Sequence, residues 1–284
     1  MDTGHYMMLN GKILPAETAC ISADNRSFRY GDGFFETMKM LNGVLVLGRL
    51  HMERLFASLD TLLFQKPPLL TAESLQEEVL RLVQKNRHQR AARIRITVFR
   101  GDGGLYDAEN LHPNILIQSW ELPPAAGRFN ENGLVTGVYT RARKAADDFS
   151  HVKSNNYLCY VMAALWAKQQ QLNDALLLNT GGRLADATIA NIFVVHEGIV
   201  KTPAITEGCV GGVMRRHLLA AMHAAGIPAQ ETRLEPEVLR EASEVFLTNS
   251  INGIRWVHAV NDQHYRHKVS FMLYNELVLP AWAH

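Results

Sequence analysis

Short apolar runs broken by one kind of turn mark the first third of the chain. "YMMLNGKILP" and "FFETMKMLNGVLVLG" each set an Asn-Gly pair, Asn10-Gly11 and Asn42-Gly43, between apolar or alternating stretches. A type I′ hairpin needs positive φ at both turn residues, which Asn and Gly tolerate, so the N-terminal part is expected to open with antiparallel strands. In "HMERLFASLDTLLF" the period becomes helical: Leu55, Leu59, Leu62 and Leu63 recur at that spacing, and Pro67-Pro68 is expected to end the helix. A second helix is predicted in "AESLQEEVLRLVQKN", with strands in "RIRITVF" and "NILIQSW".

From Leu122 the pattern lapses, because "LPPAAGRFNENG" is rich in Pro, Gly and Asn and reads as a linker. The expected division is a small N-terminal domain over residues 1–121, a linker over 122–133 and a larger C-terminal domain over 134–284. The second part opens with a strand at "LVTGVYT" and a helix from about Asn156 to Gln170, followed by strands at "DALLL", "NIFVV" and "GIVKT". A glycine-rich turn leads into a helix in "GCVGGVMRRHLLAAMHAAG", and "EVFLT" reads as a further strand. Neither part keeps the strand-helix-strand period of a doubly wound sheet or a (β/α)8 barrel. The expected class is α+β, in two domains.

Composition narrows the partners. The chain has 284 residues, 47% of them hydrophobic, and a formal net charge of +1. Its only dense basic stretch is "RARK" at residues 141–144, so the electrostatic footprint of a nucleic-acid binder or a polybasic membrane anchor is missing. Cys20, Cys159 and Cys209 lie far apart without a C-x-x-C pair, which argues against a disulfide framework and against a structural metal. The N-terminal segment lacks a basic region followed by an apolar core, so a cytoplasmic protein is expected.

Candidate chemistry centres on Lys153 in "FSHVKSNNYLCYVMAALWAK", which stands just before an apolar run with no acidic residue between it and the end of that run. Such a lysine alone is more often a solvated surface residue. The functional alternative is a Schiff-base lysine, whose amine must lose its proton to attack a carbonyl. Possible phosphate donors accompany it. Gly208, Gly211 and Gly212 lead into a helix start, where unpaired backbone N–H groups favour an anion. Thr248, Asn249 and Ser250 offer short polar groups after a strand, and Arg54 lies near the start of the first long helix. Asp186, in "GRLADATIANIFVV", has apolar surroundings and needs a cationic or donor partner. A pyridinium nitrogen would suit it, as would a plain turn.

The segments "NRSFRYGDGFFETMKM", "HMERL", "RITVFRGDGG", "VKSNNYL", "DATIANIF", "TPAITEGCVGGVMRR" and "FLTNSINGIRWV" occur in an order and at a spacing that resemble the fold-type IV pyridoxal-phosphate enzymes, the class IV aminotransferases. That family includes branched-chain and D-amino-acid aminotransferases and 4-amino-4-deoxychorismate lyases. The resemblance implies pyridoxal 5′-phosphate as cofactor, held by Lys153 as an internal aldimine. It implies phosphate contacts from Arg54, from the amides of Val213 and Met214, and from Asn249 and Ser250, with Tyr157 near the ring hydroxyl. It puts Asp186 where the family usually keeps a glutamate for the ring nitrogen, one methylene shorter.

Pocket residues divide between subfamilies. Tyr30, Phe35 and Arg95 resemble the branched-chain enzymes, whereas Arg100 lies where D-amino-acid aminotransferases keep a carboxylate-binding arginine. Strand parity puts Arg95 and Arg100 on opposite faces. The expected activity is amino transfer between an amino acid and a 2-oxo acid by ping-pong chemistry. The alternatives are a lyase releasing pyruvate and 4-aminobenzoate, and a noncatalytic anion-binding module. The resemblance further implies a homodimer with its active site between the domains and a contribution from the partner's N-terminal region.

Overall fold

A computed structural model of the chain describes residues 5–106 and 110–283. The chain divides into two compact units, Met1–Ala126 with Lys153–Asn156, and Gly127–Val152 with Tyr157–His284. The short segment carrying Lys153 thus groups with the N-terminal unit rather than with the sequence that flanks it.

The first unit is built on strands β1 (Tyr6–Leu9), β2 (Lys12–Pro15), β3 (Gly33–Leu41), β4 (Val44–Leu45), β5 (Ala91–Phe99) and β6 (Asn114–Glu121). They form one antiparallel sheet in the order β2-β1-β6-β5-β3-β4. Both Asn-Gly pairs make the tight turns expected of them, with φ of 47° and 78° at Asn10 and Gly11 and 49° and 81° at Asn42 and Gly43. A short helix, α1 (Arg26–Tyr30), precedes β3, and α2 (Gly48–Thr61) and α3 (Ala72–Asn86) pack on the sheet. Helix α3 starts at a capping box between Thr71 and Ser74 and follows the predicted segment residue for residue. Helix α2 ends earlier than the proline pair suggested. Leu63 takes φ of 57°, so the chain has left the helix before Pro67.

Alternation decides what the sheet buries. Phe34, Glu36, Met38 and Met40 of β3 and Ile94, Ile96 and Val98 of β5 are all buried, while most intervening β5 positions are half-buried. The Lys153 segment adds to the start of β3: Phe35 N–H donates to Lys153 O at 3.0 Å and Asn155 N–H donates to Gly33 O at 2.9 Å. Gly33 is needed there, because a Cβ would run into Val98 O and Asn155 Nδ2.

The second unit holds β7 (Leu134–Lys144), β8 (Asp174–Asn179), β9 (Leu184–Ala187), β10 (Asn191–His196), β11 (Ile199–Pro203), β12 (Ala229–Thr232), β13 (Glu244–Asn249), β14 (Gly253–Val260) and β15 (Gln263–His264). Its mixed sheet runs β12-β11-β10-β13-β14-β7-β8-β9, with β15 on β14. Helix α4 (Leu158–Gln169) packs on β7 and β8, and α5 (Val213–Ala224) on β12 and β13. An aliphatic core of Leu134, Leu176, Ile192, Val194, Val245 and Val257 fills the sheet's interior. Both units mix sheet and helix, and the class is α+β.

Candidate active site

In the first unit a buried carboxylate organises one face of β3. Glu36, 1% exposed, accepts two hydrogen bonds from Arg54 of α2, Nε to Oε1 and Nη2 to Oε2, each 2.6 Å. His51, one turn earlier, meets the same Oε2 through Nδ1 at 2.8 Å. Burial holds His51 below the usual imidazole range, so it is neutral at pH 7 and its Nδ1–H donates. Arg54, expected to meet a phosphate, has two of its nitrogens anchored to the sheet, a bidentate pairing that fixes the direction of its side chain.

The opposite face carries Phe35, and two cations converge on its ring. Lys153 Nζ lies 4.5 Å from the ring centroid and the Arg95 guanidinium 3.7 Å. Arg100 lies elsewhere. It pairs with Asp32, donates to Leu62 O and sits 4.2 Å over Phe64, which packs edge-on against Phe34. Arg95 and Arg100 thus have separate partners, and Arg100 lies just beyond the end of β5 at Phe99. Tyr30 is 41% exposed at the end of α1, beside Arg29.

In the second unit the organising group is Asp186. It belongs to the buried strand β9 rather than to a turn, and is 2% exposed. Its Oδ2 accepts from Lys144 Nζ at 2.8 Å, Tyr160 Oη at 2.9 Å and Val210 N at 2.9 Å, and its Oδ1 from Asn191 Nδ2 at 2.8 Å. Burial, then the neighbouring carboxylate, pushes the Tyr160 hydroxyl well above the usual phenol range, so it stays a donor. Tyr157 stacks on Tyr160 with ring centroids 4.3 Å apart.

Asn191 joins this carboxylate to the start of α5. Its Nδ2 also donates to Val210 O at 2.8 Å, and a Cβ on Gly212, which caps α5, would strike its Oδ1. Val213 and Met214 form the first turn of α5, where backbone N–H groups have no intrahelical acceptor. Asn249 Oδ1 accepts from the N–H groups of Ile251 and Asn252, folding the turn that carries Ser250. Sequence reasoning did not reach Lys144, Tyr160, Glu36 or His51. Lys144 counted only as part of a basic stretch, and Glu36 sits in an apolar run without a local partner.

Residues 33–260 match the family described as amino-transferase class IV. The chain belongs to that family. Class IV relatives divide by activity, as the sequence suggested. A Methanocaldococcus jannaschii protein with the provisional name branched-chain-amino-acid aminotransferase is 32% identical over 245 residues, 85% of this chain and 83% of that one. The aminodeoxychorismate lyase of Vibrio harveyi is 30% identical over 245 residues, 84% of this chain and 86% of that one. Among solved structures, the branched-chain aminotransferase of the thermophilic archaeon Thermoproteus uzoniensis, with norvaline, has a TM-score of 0.88 at 22% identity. That match covers 99% of this chain and 96% of the other. The class IV fold therefore extends over nearly the whole molecule.

Proposed function

We propose that this class IV enzyme transfers an amino group between an amino acid and a 2-oxo acid, with pyridoxal 5′-phosphate as cofactor and Lys153 as the residue that carries it. The observation that bears most weight is Asn191, which ties the buried Asp186 carboxylate to the glycine-led start of α5. A phosphorylated pyridine asks for that pair: a helix N-terminus for the phosphate and a carboxylate for the ring nitrogen.

The donor set fits. Oδ1 of Asp186 accepts one hydrogen bond where a carboxylate oxygen has room for two, so an acceptor position remains for a ring N–H. Lys144 and Tyr160 hold the carboxylate in one orientation from its other oxygen. Val213 and Met214 amides, Ser250 and Asn249 would serve the phosphate, with Arg54 held by Glu36 for the same anion and Tyr157 for the ring hydroxyl. When bound, the cofactor supplies an electron sink for the bonds at the substrate Cα. Lys153 would move the proton to and from that carbon in each half of a ping-pong exchange. Arg95, fixed over Phe35, would receive a substrate carboxylate, with Tyr30 framing the pocket. Arg100 is not assigned to it.

The surface of α4 supports a homodimer. Leu158, Val161, Met162 and Leu165 are 69%, 47%, 43% and 50% exposed and recur at helical spacing, an apolar stripe that a second copy would cover.

The Vibrio harveyi relative supports a second reading, elimination of pyruvate from an aminated chorismate. Incubating the purified protein with amino acids and following products decides between them. Amino transfer that depends on an added 2-oxo acid is the expected result, and pyruvate released without any acceptor would establish the lyase instead.

A further inference from the structure

Tyr160 touches both of the groups that the ring of the cofactor would meet. It stands in the first turn of α4, three residues after Tyr157, and residues three apart share one face of a helix. The two rings stack with centroids 4.3 Å apart and planes 19° from parallel. At its other end, the Tyr160 hydroxyl donates to Asp186 Oδ2 at 2.9 Å. Lys144 Nζ, which donates to the same oxygen at 2.8 Å, also lies 5.3 Å from the Tyr160 ring centroid.

Packing alone does not ask for a tyrosine here. The ring is buried in a cluster with Tyr139, Ala163, Ala167, Ala175 and Leu177, where phenylalanine would fill the same space. A buried hydroxyl is unfavourable without a partner, and this one is given to Asp186. Nor does Asp186 lack donors, since Lys144, the Val210 N–H and Asn191 already serve it. What the phenol adds is direction. The terminal torsion of an aspartate is broad, so the place of its oxygens has to be set by their partners. Three donors converging on Oδ2 fill that oxygen and hold Oδ1 where it has room for one more donor. The stack steadies Tyr157 in the same way, because two rings in contact over their faces lose that contact when either one turns.

We propose that Tyr160 is a positioning residue that fixes two cofactor contacts with one side chain: Asp186 for the ring nitrogen through its hydroxyl, and Tyr157 for the ring hydroxyl through its face. The inference rests on the proposed roles of Asp186 and Tyr157. The nitrogen and the hydroxyl-bearing carbon of the pyridine are separated by a single ring carbon, so two independently mobile side chains would each have to find their atom while the other held. A strut between them makes the two contacts form together. Aspartate has one side-chain torsion fewer than glutamate with which to correct its aim, so support from outside carries more of the geometry.

The test equilibrates the full-length protein with equal mixtures of pyridoxal 5′-phosphate and one analogue, removes free cofactor and reads the bound ratio by chromatography. 1-Deazapyridoxal 5′-phosphate has carbon in place of the ring nitrogen, and 3-deoxypyridoxal 5′-phosphate lacks the ring hydroxyl. Wild type should prefer pyridoxal phosphate to the deaza analogue by about tenfold or more, the scale of a hydrogen bond to a charged group, and to the deoxy analogue by about threefold or more, the scale of a neutral one. Tyr160→Phe keeps the stack and removes the hydroxyl, so the first preference should fall by about threefold or more while the second stays within about twofold. Tyr160→Leu removes both contacts and should lower both preferences. A residue that only filled space would lower uptake of all three cofactors alike and leave the ratios unchanged. An unchanged nitrogen preference in Tyr160→Phe therefore overturns the proposal, whether or not Tyr160→Leu folds. Failure of the underlying reading would look different: wild type itself would take up the deaza analogue as readily as pyridoxal phosphate, and the role of Asp186 would fall together with that of Tyr160.

Discussion

Glu36 and Asp186 are buried carboxylates held by cations, and each controls a neighbour that the proposed chemistry needs. Burial by itself raises the pKa of Glu36, but the Arg54 charge and the hydrogen bonds of His51 and Arg54 outweigh it and bring the carboxyl to about 2. Because this lies below the unfolded value of 4.5, the pair contributes stability that is complete above about pH 4.5 and is lost as pH falls through 2. The contribution is roughly 3 kcal/mol. Thermal unfolding of wild type should weaken through this acid range, and Glu36→Gln should melt lower at neutral pH with a flatter acid dependence. Parallel curves for the two proteins would mean that the pair does not stabilise the fold. At Asp186 the charge matters more than the size. Asp186→Asn should retain cofactor and slow amino transfer by about 10²-fold or more, the scale of losing one electrostatic stabiliser; an unimpaired single-turnover rate would remove it from the chemistry. Asp186→Glu keeps the charge but must fit an extra methylene among four donors already in place, at a cost of about 1–3 kcal/mol in stability.

The start of α5 is where local structure and chemistry depend on one position. Gly212 has φ of −63°, which any residue adopts, so glycine is required there for room and not for backbone freedom. Gly212→Ala should force Asn191 aside, loosen the link to Asp186 and weaken cofactor affinity by about tenfold or more, read by equilibrium titration. Unchanged affinity would show that the turn adapts. The elements most legible in the sequence were those with strong periodicity or turn chemistry, α3 and the two Asn-Gly hairpins. Strand β9 was not legible, because all four of its residues are buried and its short Leu-Ala-Asp-Ala run shows no alternation. That is why Asp186 could pass for a turn residue. The end of α2 was obscured because Leu62 and Leu63 continue the apolar spacing after the backbone has turned at Leu63. Arg95 and Arg100 have separate partners, as their opposite parity suggested, although Arg100 lies past the end of β5, and no local pattern could reveal that Glu36 would claim Arg54 or that Lys144 would reach Asp186 from 42 residues away.

At the scale of the whole molecule, the family match, the α+β class and the proposed cofactor form one account. No helix among the described residues is long and apolar enough to cross a membrane. The formal net charge of +1 offers little repulsion between copies, and the apolar stripe on α4 is open to a second one. Sedimentation should find a dimer, and Leu165→Asp should shift it toward monomer; a monomeric wild type would contradict the assembly. The central claim, however, is that Lys153 carries the cofactor, and it has a direct chemical test. Borohydride reduction of the purified, cofactor-loaded protein, followed by peptide mapping, should find pyridoxyl phosphate fixed on Lys153. A label on Lys144 or Lys168, or no label at all, would contradict it.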